Sequence, residues 1–329
     1  MTGSPATVPL LDVRHLRVEF PTRRGVLVAI DDVSLRIAPG EVLGVVGESG
    51  AGKSLTGMAV LGLLQPPGRI AAGEIHLQGG RIDNLAAAQL RAIRGRRIGA
   101  IFQDPLTALD PLFTVGAQIT ETIRTHLQVT ANEARERAVA LLREVGIPAP
   151  AQRFDQYPHQ LSGGMRQRVV IALALCAEPA LLIADEPTTA LDVSTQAQII
   201  ELLARLVRDR GMGVMLITHD MGVIAAMADR VAVLYAGRVA EIGLVRDVIQ
   251  RPRHPYTTGL MGAIPKRGSL ATRLTQIDGA MPRLDAIPGG CAFHPRCERR
   301  LERCGRERPS PVTIDAGEVS CWLYPHAVP

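Results

Sequence analysis

The stretch Gly47-Glu48-Ser49-Gly50-Ala51-Gly52-Lys53-Ser54 restricts what this chain can fold into more than any other part of it. It fits the pattern G-x-x-x-x-G-K-[ST], in which glycines let the backbone wrap closely around phosphate oxygens. The apolar run at 41–46 (EVLGVV) reads as a buried strand, and residues 54–64 carry apolar side chains at helical spacing. Strand, Gly-rich loop and helix are the context that such a loop needs, because amide N–H groups and a helix N-terminus then point at the anion. Lys53 adds a mobile positive charge and Ser54 a hydroxyl that can ligate magnesium. Apart from Lys53 the only lysine is Lys266; every other basic residue is arginine. Lysine is kept at the one place where a compact ammonium suits phosphate better than a planar guanidinium.

Composition narrows the class. A chain of 329 residues suggests one or two domains, and a hydrophobic fraction of 47% is ample for a packed core. The net charge of +5 comes from acids and bases interspersed along most of the length, a mild balance that would suit a neighbour at an anionic membrane face. The longest apolar stretch, residues 169–184, is interrupted by Glu178 and Pro179 and is too short to span a bilayer. Residues 1–16 lack a basic region followed by an apolar core and cleavage site. The expectation is a cytoplasmic chain whose membrane role, if any, runs through a partner. Five cysteines in a reducing compartment argue against a disulfide framework.

Along the chain, residues 10–38 alternate as two or three antiparallel strands with a turn around 21–25. Phe20 ends the first strand, either as a core or edge residue or as a platform for a base. Residues 73–78 and 98–102 read as further strands. The Arg-rich piece at 91–97 between them reads as a solvated face, since no aromatics interleave it. Gln103, Asp104 and Pro105 follow a strand end. From 111 to 146 the spacing turns helical, as in a helical subdomain inserted into an α/β core. Ser162, Gly163 and Gly164 precede an apolar helix at 165–176, a helix N-terminus with exposed amides that is, taken alone, an ordinary cap. Cys176, in that apolar stretch, reads as a buried small hydrophobe. A fully apolar strand at 180–184 ends in Asp185 and Glu186, an expensive pairing unless it serves a cation or a reaction. Asp192 follows in the tripeptide ALD, then a helix at 196–208 and a strand at 214–218 ending at His219.

Cys291, Cys297, Cys304 and Cys321 stand at C-x5-C-x6-C-x16-C in a segment rich in Pro and Arg and poor in apolar periodicity. A segment with so little core usually needs a staple. The spacing matches neither the close pairs of common zinc sites nor ferredoxin runs. Iron–sulfur, zinc, free thiols and redox disulfides all stay open.

Taken together, these motifs resemble the ATP-binding subunits of ABC transporters. GESGAGKS is similar to the Walker A motif, Gln103 to the Q-loop glutamine, and LSGGMRQ to the ABC signature. LLIADE resembles Walker B with its catalytic glutamate, ALD the D-loop, and THD the switch histidine. These stretches stand in family order. FQDPLTALDP, YPHQLSGGMRQRV, ADEPTTALDV, ITHDMGV, YAGRVAEIG, RHPYTTGLMGAIP and IPGGCAFHPRC narrow the likeness to the dipeptide/oligopeptide (and nickel) importer branch, over about residues 10–325. One departure is IDG at 277–279, where such proteins usually read I-P-G.

The resemblance implies an α/β fold. It would have a RecA-like P-loop core, an antiparallel β subdomain, a helical subdomain at about 104–165, and a small Cys-containing extension. Residues 1–265 would be the ATPase domain and 266–329 the extension. It implies ATP and Mg2+ as ligands, held by the amides of Gly47, Ser49, Gly50 and Gly52 together with Lys53. Ser54 and Gln103 would ligate the magnesium, and Asp185 would bind it through water. Glu186 would be the general base and His219 would contact the γ-phosphate and the attacking water, with Phe20 stacked on adenine. Ser162, Gly163 and Gly164 would reach the nucleotide of a second ATPase subunit, probed across an interface that includes Asp192. The four C-terminal cysteines would hold a [4Fe-4S] cluster of structural use. Two permease subunits, a paralogous second ATPase and an extracytoplasmic binding protein are the implied partners, at the cytoplasmic face of the cell membrane and without nucleic acid. A soluble ABC ATPase acting on nucleic acid or ribosomes is the competing function, and nickel the competing cargo.

Overall fold

The run EVLGVV does form a strand buried on all five of its positions, β3 (Val42–Val46). A strand covered on both faces needs no polar alternation, which is why it reads as continuous apolar sequence. The computed structural model describes residues 8–104, 108–189, 191–263 and 276–325. Pro105, Ala190, Lys266, the first seven residues and the boundary expected at 265/266 lie outside the described residues.

By its contacts the chain divides into two compact units. One comprises Leu11–Ile37, Val42–Asp83 and the chain from Ile217 onward. In it β1 (Leu11–Thr22) and β2 (Gly25–Ile37) form the antiparallel hairpin expected at 10–38, paired from Leu11↔Ile37 to Thr22↔Gly25. Leu11, Val13, Leu16 and Val18 are fully buried, the alternation breaking where the register shifts between Val13 and Leu16. The phosphate-loop helix α1 (Lys53–Leu61) follows β3. Strand β4 (Arg69–Leu77), longer than its sequence signal, pairs with β1, and the short β5 (Gly80–Arg81) with β4.

The other unit holds Ala38–Glu41 and Asn84–Leu216. Helix α2 (Ala87–Ile93) leads to β6 (Ile98–Ile101), which runs parallel to β7 (Leu181–Asp185) in the register Ile98↔Leu181 to Ile101↔Ala184. Between them stand α3 (Val115–His126), α4 (Ala131–Glu144), α5 (Pro150–Phe154) and α6 (Gly163–Leu175), where the sequence turns helical. Thr114 caps α3, and Thr130 with Glu133 forms a capping box on α4. Phe154 is buried against Gly116 of α3, with the Arg135 guanidinium 4.1 Å over its ring. Helix α7 (Val193–Arg210) and strand β8 (Gly213–Ile217) complete the unit, and β7 lies between β6 and β8.

Back in the first unit, α8 (Met221–Met227) precedes β9 (Arg230–Tyr235), which runs parallel to β3 and turns tightly into antiparallel β10 (Arg238–Leu244). Helices α9 (Val245–Gln250) and α10 (Pro255–Gly262) follow. The C-terminal segment, read as nearly coreless, instead supplies a small hairpin of β11 (Val312–Ile314) and β12 (Gly317–Val319). Strand β12 joins the sheet edge at β10, with Glu241↔Val319 and Ile242↔Glu318 as partners. The segment gains order by borrowing the backbone bonds of an existing edge.

Candidate nucleotide site

Strand β3 delivers the chain into the phosphate loop at Gly47. Its φ is 151°, and a Cβ there would stand 2.3 Å from the Leu234 carbonyl oxygen of β9, so only glycine fits. The loop closes on itself: the Ala51 N–H donates to the Glu48 carbonyl at 3.1 Å, and Gly52 caps α1 with a φ of 101°. Lys53 is 7% exposed, and its Nζ donates to the carbonyls of Gly47 at 2.8 Å and Glu48 at 3.0 Å. Ser49, Gly50 and Ser54 are exposed. Phe20, half-buried near the end of β1, lies with its ring against Gly68, and His219 is exposed just beyond β8. Asp220 beside it caps α8, accepting from the Gly222 N–H at 2.7 Å.

Two side chains that the motif does not specify hold Glu48. Its backbone N–H donates to the Tyr256 hydroxyl at 2.8 Å, and its carboxylate accepts from Arg296 Nη1 at 3.0 and 3.2 Å.

The second unit gathers the acidic part. Asp185, 9% exposed, ends β7, and Glu186 follows with a φ of 47°. Glu186 Oε2 accepts from Gln103 Nε2 at 3.0 Å and from Thr189 Oγ1 at 2.8 Å. Gln103 stands just past β6, and the parallel register of β6 and β7 brings the two strand ends side by side. Gln167, 2% exposed on α6, donates from Nε2 to the Pro187 carbonyl. Ser162 caps α6, accepting from the Met165 N–H at 3.3 Å. Ser162 and Gly163 are exposed, and a Cβ at Gly164 would stand 2.8 Å from Thr195 Cγ2, so the starts of α6 and α7 lie together. Asp192 caps α7 by accepting from the Thr195 N–H at 2.9 Å. Bonds from the Ser194 hydroxyl, then from Thr195, hold its carboxyl well below the usual carboxylate range.

Cys291, Cys297, Cys304 and Cys321 line one small cavity with His254, Phe293, His294 and Trp322. All four are free thiols. Burial, with the neighbouring cysteines adding to it, pushes the Cys291 thiol up to about 11. Among the described residues no group of three or more His, Cys, Asp and Glu is placed to hold a metal ion, so the four-cysteine metal site read from the sequence does not stand as a formed site. Cys176 is the buried small hydrophobe expected, its thiol pushed up to about 12 by burial.

Sequence reasoning passes over Glu48, Gln167, Thr189, Tyr256 and Arg296. Gln167 and Thr189 sit within or beside motifs and could have been found there. The bonds of Tyr256 and Arg296 to the loop have no local signal.

An anion loop with a lysine, and in the other unit a strand ending in Asp185 and Glu186 beside Gln103, are parts that an ATPase of the cassette type needs. Known proteins agree. A family model described as ABC transporter matches residues 30–189, and one described as oligopeptide/dipeptide transporter, C-terminal region, matches residues 240–304. The chain is 47% identical over 316 residues to the dipeptide transport ATP-binding protein DppD of Bacillus subtilis (strain 168), covering 95% of this chain and 94% of that one. It is 44% identical to DppD of Haemophilus influenzae over 312 residues, covering 95% and 94%. Among solved structures, the dimeric bacterial ABC transporter cassette MJ0796 superposes with a TM-score of 0.65 at 29% identity, covering 72% of this chain and 99% of that one. MJ0796 is also known in a post-hydrolysis state bound to ADP and Pi. The chain belongs to the ABC transporter family of ATPases, in the group whose members carry the oligopeptide/dipeptide transporter C-terminal region.

Proposed function

We propose that this protein hydrolyses ATP to drive import of dipeptides or oligopeptides through a membrane permease. The observation that carries the reading is Glu186, one residue beyond a buried strand end and held by Gln103 and Thr189. Phosphoryl transfer is chiefly positioning and charge neutralisation, with one base to aim water. Glu186 is that base, and His219 contacts the γ-phosphate and the water. Gly47, Ser49, Gly50, Gly52 and Lys53 take the phosphates. Ser54, Gln103 and Asp185 serve magnesium, and Phe20 the adenine. Residues 1–265 form the ATPase domain and 266–329 the extension.

Ser162, Gly163 and Gly164, with Asp192 beside them, face a second ATPase subunit, a paralogue, in a head-to-tail pair. Ser162 and Gly163 are exposed, as that role requires. Docking to two permease subunits falls to the stretch before α3, where Leu112 is 79% and Phe113 54% exposed. Among the described residues no helix is long and apolar enough to cross a membrane. The place of work is the cytoplasmic face of the cell membrane, with cargo delivered by an extracytoplasmic binding protein.

The four cysteines are the residues that would hold a [4Fe-4S] cluster, and what supports this is that they line one cavity. A cluster there would staple the extension rather than carry electrons. Thiols must lose protons to bind iron, so loading is favoured by higher pH. Anaerobic purification with iron, sulfide and visible absorption analysis decides it; a colourless protein with stoichiometric zinc refutes the cluster. For the main reading, Glu186→Gln is placed in the assembled transporter. Nucleotide stays trapped and this site's turnover stops; unchanged turnover there refutes the assignment.

A further inference from the structure

The C-terminal extension reaches the phosphate loop through Arg296. Arg296 is nearly buried, its side chain 8% exposed, and its guanidinium is spent in every direction. Nε donates to the Asp278 carbonyl at 2.8 Å, and Nη2 to the carbonyls of Ile277 at 3.3 Å and Gly279 at 3.4 Å. Nη1 donates to both carboxylate oxygens of Glu48 and to the Tyr235 hydroxyl at 3.4 Å. The guanidinium also stands 5.8 Å from the ring centres of Tyr235 and Phe293. Only arginine has donors enough for this fan.

Tyr256 meets Glu48 from α10. It is fully buried, packed with its ring 4.6 Å from that of Tyr235 and 5.4 Å from that of Phe293. Its hydroxyl takes the Glu48 N–H. Glu48 is thus pinned by backbone and side chain at once. Its carbonyl accepts from the Lys53 ammonium at 3.0 Å. Fixing Glu48 therefore fixes the carbonyl that positions the phosphate-binding lysine.

We infer that Arg296 and Tyr256 are positioning residues for nucleotide binding: the C-terminal extension, through Arg296, joins Tyr256 of α10 in clamping Glu48 and so sets the loop's affinity for ATP. The inference rests on the reading of residues 47–54 as the ATP loop. Pre-ordering a binding loop removes an entropy cost from binding and leaves the chemical step alone. The clamp acts on KM more than on kcat.

A simple charge effect predicts the opposite for one variant. Glu48→Gln removes a negative charge beside the phosphates, so electrostatics alone would tighten binding. Clamping predicts that it weakens binding, because the charged, two-oxygen bond to Arg296 is reduced to a single neutral acceptor. The test measures equilibrium binding of a fluorescent ATP analogue to the full-length protein, and KM and kcat in the assembled transporter. Glu48→Gln, Tyr256→Phe and Arg296→Ala each weaken binding by about tenfold, in line with loss of one hydrogen bond to a charged or buried group. Adding Arg296→Ala to Glu48→Gln weakens it little further, and kcat at saturation stays within about twofold. Glu48→Gln and Tyr256→Phe leave the Arg296 carbonyl bonds in place, so their effect does not depend on an unfolded extension. Unchanged or tighter binding by Glu48→Gln, with normal binding by the wild type, overturns the inference alone. Absence of nucleotide binding by the wild type overturns the ATP reading beneath it.

Discussion

Gln103 and Glu186 lie 83 positions apart in sequence and meet through a 3.0 Å hydrogen bond from the amide Nε2 to the carboxylate Oε2. The bond exists because β6 and β7 run parallel in register, so that both strands end at the same level. The carboxylate is aimed by this amide and by the Thr189 hydroxyl, and anything that shifts the turn after Glu186 shifts the aim.

Gln167 guards that turn. It is buried and donates to the Pro187 carbonyl, one residue past Glu186. Gln167→Leu keeps the volume and leaves a buried carbonyl unpaired, which costs about 1–3 kcal/mol. The expected result is a lower melting temperature and reduced ATP turnover in the assembled transporter, with nucleotide affinity retained. Calorimetry, a turnover assay and a binding titration check the three parts.

Gly47 admits no side chain. Its Cβ would press on a backbone oxygen of β9, and its φ of 151° is strained for any other residue. Gly47→Ala is expected to cost about 2–4 kcal/mol, the range of overpacking plus backbone strain. Loss of nucleotide binding accompanies the loss of stability, and both are measured on one purified sample.

Asp31 is the charged hub of β2. Arg17 and Arg308 each bond it at 2.8 Å, and Arg238 closes in from β10. Burial pushes its carboxyl up, but the bond and charge of Arg238, with the charges of Arg308 and Arg17, outweigh that and hold it below 3.8. The folded chain then binds fewer protons here than the unfolded chain does. The stabilisation is complete above the unfolded value of 3.8 and is lost as pH falls through the lower folded value. Asp31→Asn is expected to cost about 1–2 kcal/mol at neutral pH, allowing for partly solvated arginines. The gap between wild type and variant narrows below about pH 4, as melting curves across that range would record.

The sequence is legible where one short stretch carries a whole physical signal. Residues 41–64 announce strand, anion loop and helix together, and Asp185-Glu186 at the end of an apolar run marks the acidic site. Thr130 with Glu133 could be read as a helix start in the same way. What stays hidden depends on distant pairing. Arg296 and Glu48 are 248 positions apart, and Glu48 occupies one of the unrestricted places of the loop pattern. Strands β11 and β12 are three residues each, too short to show a period, and they exist because β10 offers an edge. The cysteines' shared cavity likewise follows from 3-10 turns that spacing alone does not define.

The φ of 47° at Glu186 sets stability and turnover against each other at a single position. A left-handed backbone costs a long side chain about 1–3 kcal/mol, and asparagine bears it more readily. The chain forgoes that stability where the carboxylate must be aimed. If Glu186 is the base proposed above, Glu186→Asn should therefore melt no lower than wild type while this site hydrolyses nothing, so selection for robustness alone would erase the catalyst and leave a sturdier, idle protein.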